Sequence, residues 1–253
     1  MPYFLEVISF DTLHHDDAVS GAFAQTQTPS ALFNVIGRLD GCVSVVGGYE
    51  LEDKRRAYVI TAWTSYEAYH YTCNTRPVLS ILNPAFQLSP ISISNTRIYH
   101  LTVDMHPCRT LSAPVTEIVV VSQRADLLFA QRAWEKRVDG CVVQLKAGLY
   151  AVDGAYPPLL WGEIKQMPGS YLMLVGWEGV EAHTKAVRQP SLRKHVLEIL
   201  RTAHTRAVHT KLRSLVSINT TKNATPLDTS IGPRGSANSG REVSFERKLQ
   251  TSM

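Results

Sequence analysis

The chain has 253 residues, 44% of them hydrophobic and 19% charged, with a formal charge of +4. This is an ordinary globular composition, long enough for one large domain or two of about 100–125 residues. The basic excess is spread over both halves with no Lys/Arg stripe interleaved with aromatics, so no nucleic-acid partner is expected. No apolar window reaches the roughly 18 residues that span a bilayer. The opening MPYFLEVISF lacks the basic lead and long apolar run of a secretory signal. A cytoplasmic protein without a membrane partner is the expectation. The cysteines Cys42, Cys73, Cys108 and Cys141 form no CxxC pair and no zinc spacing, and are expected as reduced thiols.

In chain order, FLEVISF from Phe4 reads as a strand. In SALFNVIGRLDG, residues Leu32, Val35, Ile36 and Leu39 share one helical face, and Gly41 closes the helix. CVSVVGGYELE and RAYVITAW read as the second and third strands. SYEAYHYTCNTRPVLSIL starts a second helix that breaks before Pro77. Thr64 and Glu67 stand at capping-box spacing at its start. TRIYHLTVDM is a fourth strand. The order β-α-β-β-α-β is the ferredoxin-like unit.

The order then recurs. EIVVVSQ from Glu117 reads as a strand. Leu127, Ala130, Trp134 and Val138 form the apolar stripe of a helix that Gly140 is expected to end. CVVQLKAGLYA and YLMLVGW read as strands. The Pro/Gly-rich stretch Val152–Ser170 between them reads as an inserted loop. VEAHTKAV and SLRKHVLEIL read as helices separated at Pro190, and AVHTKLRSL as the last strand. From Ile218 the chain is too poor in apolar residues to offset its ordering entropy, and a disordered tail is expected.

Four anchors support a tandem duplication: the first strands, Asp40–Cys42 with Asp139–Cys141, Trp63 with Trp177, and His100 with His209. The expected domains are a first repeat over 1–108, a second over 109–217 carrying the inserted loop 152–170, and the tail 218–253. EIVVVSQ and YLMLVGW carry apolar side chains on both strand faces, so both faces must be covered. Helices cover one. The economical cover for the other is the sheet of the second repeat. The expected fold class is α+β: two ferredoxin-like repeats packed sheet to sheet as a barrel within one chain.

The motif WTSYEAYH at Trp63–His70 and its counterpart WEGVEAH at Trp177–His183, each joining a strand to a helix, resemble the dimeric α+β barrel superfamily. They resemble in particular the antibiotic-biosynthesis-monooxygenase-like (ABM-like) proteins common in fungi, many of them tandem. The resemblance covers most of residues 1–217, and its motifs are largely architectural. The first copy departs from the motif with Tyr69 where the motif has His, and the second with Gly179 where it has Ser. The resemblance implies secondary metabolism and a cofactor-independent monooxygenase or polyketide cyclase acting on an aromatic or polyketide-like molecule. The alternative is a non-catalytic barrel that binds a hydrophobic small molecule or a protein. Fold alone does not choose between them. A monomer formed as an intrachain pseudo-dimer and a homodimer are both compatible.

Four histidines are candidates for catalysis. His183 and His70 lie early in the second helices, where a general base would face a pocket between helix and sheet. His209 and His100 stand at matching places in the fourth strands, and Tyr99 beside His100 points to the other sheet face. Trp63, Trp177 and Tyr69 are candidate substrate walls, or plain packing residues. Trp161, in the expected loop with Tyr156 and Met167, is a candidate lid or an anchor. Glu67 and Glu181 are read as helix-start carboxylates. The run His14–Asp17 offers imidazoles and carboxylates, but consecutive residues diverge, and no metal site is expected there or elsewhere in the chain. No Rossmann, P-loop or nucleophile-elbow motif is present, and no cofactor is expected.

Overall fold

A computed structural model describes residues 1–11, 34, 36–73, 95–126 and 130–215. The run His14–Asp17, Leu32, Val35, Pro77, Leu127 and the tail 218–253 lie outside the described residues. Residues up to 217 form one compact unit.

The first half holds β1 (Tyr3–Asp11), β2 (Cys42–Tyr49), β3 (Arg56–Trp63), α1 (Tyr66–Cys73) and β4 (Arg97–Val103). A one-turn helix, α2 (Cys108–Leu111), leads into the second half. There follow β5 (Val115–Gln123), α3 (Gln131–Leu149), β6 (Ala155–Glu163), β7 (Ser170–Trp177), α4 (Val180–Ala186), α5 (Pro190–Thr202), β8 (Ala203–Thr210) and the short β9 (Arg213–Ser214). Two antiparallel sheets result, ordered β4-β1-β3-β2-β9 and β6-β7-β5-β8.

The sheets join at both edges. Glu50 bridges Thr210, and the Leu51 amide donates to the His209 carbonyl at 2.7 Å. At the other edge the Lys165 amide donates to the His100 carbonyl at 2.8 Å. The interior between the sheets is apolar and includes Leu5, Val7, Ile60, Leu101, Ile118, Leu174 and Val208. The fold is an α+β barrel within one chain. Glycines permit the two crossings. A Cβ on Gly48 of β2 would lie 2.0 Å from the Lys211 carbonyl oxygen, and one on Gly162 of β6 would lie 2.4 Å from that of Thr102.

Strand alternation sorts the other faces. Phe4, Ile8, Phe10, Val59 and Trp63 form an outer core on the first sheet. Val119, Val121, Val175 and Trp177 pack beneath Trp134, Val138, Leu145 and Leu149 of α3 and Leu192 and Ile199 of α5. At the start of α1 the cap comes from Ser65, whose Oγ accepts the Ala68 amide at 3.2 Å, rather than from Thr64.

Two expectations are corrected in the second half. Helix α3 does not end at Gly140 but runs to Leu149, so the stretch read as the strand CVVQLKAGLYA is largely helix. Its buried residues Trp134, Val138, Cys141, Val142, Leu145 and Leu149 continue one stripe across the glycine. Asp139–Cys141 therefore lies within a helix, whereas Cys42 opens β2, and the two DGC triplets are not equivalent. The real strand is β6, inside the expected loop 152–170. Its two prolines sit within a register shift against β7, on a strand at the end of its sheet order, where a missing N–H is tolerated.

Candidate functional site

Pairing register brings the site together. Glu117 on β5 stands opposite His209 on β8. Ile118 and Val208, their neighbours, belong to the barrel interior, so Glu117 and His209 point outward, beneath the helices. Gly179 caps α4 in extended backbone, and that helix carries His183 over the same patch.

A chain of polar contacts crosses this patch. Glu52, just beyond β2 of the first half, meets His209 Nδ1 at 2.5 Å and also accepts the His209 amide at 3.0 Å. His209 Nε2 lies 2.9 Å from His183 Nδ1. His183 Nε2 lies 3.5 Å from Glu117 Oε1. The Trp177 indole donates to Glu117 Oε2 at 3.1 Å. Glu117 is 7% exposed.

The carboxylate of Glu52 fixes the tautomers. A neutral His209 facing it carries its proton on Nδ1, so Nε2 accepts from His183 Nδ1–H. His183 Nε2 is then left with a free lone pair. Protonation reverses the chain, and His183 Nε2–H then donates toward Glu117. Burial pushes the pKa of His183 below its ordinary value against the opposing pull of Glu117, which favours the neutral ring. For Glu52, burial acts upward, but the His209 amide and ring donors prevail and hold it below the usual carboxylate range.

The cluster closes one end of a cavity of about 110 Å³ between the second sheet and helices α3 and α5. Glu117, Trp177 and His183 form its polar end, and apart from Thr205 the remaining wall is apolar, including Val119, Leu149 and Ile199. An enclosed apolar cavity near 150 Å³ holds a benzene ring. The space therefore suits one ring or a comparable aliphatic group. Leu200 lines the cavity and is 48% exposed, marking the side on which α5 meets solvent.

The first half holds a related cluster of different chemistry. Glu6 on β1 pairs opposite His100 on β4. The Tyr69 hydroxyl donates to Glu6 Oε1 at 2.8 Å and lies 3.0 Å from His100 Nε2. Gln166, beyond β6 of the second half, takes the place that Glu52 holds opposite, with Nε2 2.5 Å from His100 Nδ1 and Oε1 accepting the His100 amide. Trp63 Nε1 donates to the Thr61 hydroxyl rather than to a carboxylate.

The structure thus brings His183, His209 and Trp177 together, and separately His100 and Tyr69. Trp63 is fully buried in the outer core of the first sheet, away from the cavity. His70 is on the exposed side of α1, with its ring against Tyr66. Trp161 is not on a loop: it lies in β6, stacked on Tyr171 and donating to Asp139 of α3, so it braces a helix and does not line the cavity. Sequence reasoning missed Glu117, Glu6, Glu52 and Gln166. For Glu6 and Glu117 a signal existed, a carboxylate inside an otherwise apolar first strand in each half. Glu52 and Gln166 act across the barrel, and no local pattern marks them.

No family model matches the chain, and no curated protein matches it. Solved structures do. A protein of Lactobacillus acidophilus NCFM, provisionally assigned as a monooxygenase, aligns with a TM-score of 0.58 at 10% identity, covering 86% of this chain and 99% of its own. A second provisional monooxygenase, from Fusobacterium nucleatum subsp. nucleatum, aligns with a TM-score of 0.59 at 9% identity, covering 83% and 92%. An anthrone oxidase-like protein aligns with a TM-score of 0.54 at 14% identity, covering 84% and 93%. The chain shares their fold. At these identities the likeness concerns architecture, and chemistry has to be argued from the site. Among the described residues no helix is long and apolar enough to cross a membrane.

Proposed function

We propose that the protein is a cofactor-independent monooxygenase or cyclase that takes an aromatic or polyketide-like small molecule into the cavity of the second half, with His183 as general base. The observation that carries this reading is the free lone pair of His183 Nε2 at the polar end of an apolar cavity, held in that tautomer by His209 and Glu52. Its substrate is an acidic phenol or a methylene activated by neighbouring rings or carbonyls. His183 accepts the proton, and the charge passes to the His209–Glu52 pair. The apolar wall favours a delocalised anion over a localised one.

In the oxygenase branch the carbanion and O₂ form a C–O bond. The peroxide anion recovers the proton from His183, and loss of water leaves a carbonyl. In the cyclase branch the same anion attacks a carbonyl of its own molecule. The name of the anthrone oxidase-like structural neighbour supports the first branch. At about 110 Å³ the cavity is of single-ring size, and a fused-ring substrate would extend out of it past Leu200, on the side open to solvent. Each sheet covers the inner face of the other, which supports a monomer that works without a second chain.

The test is a thermal-shift screen of phenols, anthrones and related aromatics on wild type and His183→Ala, followed by oxygen uptake and product analysis in the presence of chelator. Stabilisation of wild type alone, by mass action, together with turnover lost in the variant, supports the proposal. Ligand-induced stabilisation without turnover on any substrate class favours a binding barrel. That second reading has one observation behind it, the small volume of the cavity, about 110 Å³.

A further inference from the structure

We propose that Glu117, His183 and His209 also form a binding site for one divalent first-row transition-metal ion, with Glu52 as the outer carboxylate that orients His209. One donor atom from each of the three lies within 4.8 Å of the others. Two imidazoles and one carboxylate form a recurrent three-ligand set for such ions, leaving positions open for water or substrate.

Three observations make this more than proximity. First, the ligands are oriented from behind. Glu52 binds His209 Nδ1 at 2.5 Å, which aims Nε2 at the cluster, and the Trp177 indole holds the second oxygen of Glu117 at 3.1 Å. A carboxylate behind a ligating histidine is the usual outer support of a metal site. Second, charge balances: Glu117 and Glu52 together offset a divalent cation. Third, the first half supplies an internal control. It has the same strand positions, but Tyr69 stands where His183 stands and Gln166 where Glu52 stands. Among the described residues, only the second-half cluster brings three such donors together.

The contact between His209 Nε2 and His183 Nδ1 holds a shared proton in the metal-free chain. A cation displaces that proton and uses the lone pairs instead, so the metal-loaded and proton-relay states exclude one another. Because Glu117 and His183 line the cavity, the open coordination positions face it, and a phenolate or enolate oxygen is the class of ligand that would complete the sphere.

The experiment is calorimetric titration of the untagged, chelator-treated full chain with Zn²⁺, paralleled by the visible spectrum of the Co²⁺ form. The expected result is one ion per chain, with release of protons. Binding is abolished in His183→Ala and in His209→Ala, and unchanged in His100→Ala. Glu52→Gln changes a side chain that is 46% exposed, so it should fold even if the histidine variants do not. It should weaken Zn²⁺ binding by about 10–100-fold, the usual cost of losing an outer-shell partner. Absence of stoichiometric binding to wild type overturns the proposal. So does full affinity in Glu52→Gln together with full affinity in either histidine variant. Turnover by the chelated protein tests the base reading alone, so the two can fail separately.

Discussion

The two equivalent tryptophans give the sharpest test of how the second half differs from the first. Trp63 and Trp177 both end a third strand and are 0% and 2% exposed. Replacing either with Phe removes a similar volume of buried ring, so the packing loss largely cancels when the variants are compared. What differs is the acceptor. Trp63 Nε1 donates to a neutral hydroxyl, that of Thr61, at 2.9 Å, and Thr61 keeps a contact to Glu6 at 3.4 Å when the indole is lost. Trp177 Nε1 donates to the buried carboxylate of Glu117 at 3.1 Å. A hydrogen bond to a charged group is worth about 1.5–3 kcal/mol, and one between neutral groups about 0.5–1.5. Trp177→Phe should therefore be less stable than Trp63→Phe by about 1 kcal/mol. In a folded unit of this size that is roughly a 2–4 °C difference in Tm. The assay is urea unfolding of both variants, with Glu117→Gln alone and in the Trp177→Phe background to close a double-mutant cycle. Equal stabilities, the reverse order, or a coupling below about 0.5 kcal/mol would refute the reasoning.

Other outcomes follow from single positions. Gly140→Ala should raise stability by about 0.5–1 kcal/mol, because a Cβ there meets nothing within 4 Å and the residue lies inside α3; denaturant melts check it. Gly162→Ala should cost about 3 kcal/mol, near the top of the overpacking range, since the new Cβ would strike the Thr102 backbone where the two halves cross. Stability should also fall with pH in a way that His183 explains. Its folded pKa lies below the ordinary value near 6.5, so below about pH 6.5 the unfolded chain binds the proton more readily than the folded one. Wild type should lose stability as pH drops through 6.5 toward the lowered value, and His183→Gln should lose less over the same window. Parallel Tm–pH curves for the two proteins would contradict this.

The barrel was legible in the sequence where strands kept a simple rhythm. FLEVISF, RAYVITAW and TRIYHLTVDM correspond to β1, β3 and β4, and the two-sided apolar character of EIVVVSQ and YLMLVGW pointed to a second sheet behind them. It failed between 139 and 163, for two physical reasons. Gly140 looked like a helix end, yet it sits on the exposed side of α3, where a glycine costs about 1 kcal/mol and no more. The prolines of AYPPLLWGE spoke against a strand, yet they fall in a register shift on a strand at the end of its sheet order. Within the site, the pairing of His183 with His209 was within reach, because both had been singled out. Glu52 was not, since its position depends on how the far end of β2 meets β8 across the barrel edge.

That crossing bears on why one chain should keep both halves. Each fourth-strand histidine has its ring and its amide held by a side chain from the opposite half: His209 by Glu52 and His100 by Gln166. The architecture is reciprocal, but the charges are not. An anionic Glu52 dictates a single tautomer for neutral His209 and stabilises a proton or a cation on the imidazole pair. Gln166 presents a neutral amide and offers no such compensation. Tyr69 similarly puts a phenol, whose hydroxyl donates to Glu6, where the second half has the His183 imidazole. In this reading the first half is not an idle copy. It supplies the carboxylate that the second-half site needs, while its own cluster holds Glu6 and His100 in hydrogen bonds that need neither metal nor substrate. A barrel with identical halves would carry the Glu52 role twice. Here it occurs once, on the strand end that reaches the cavity cluster.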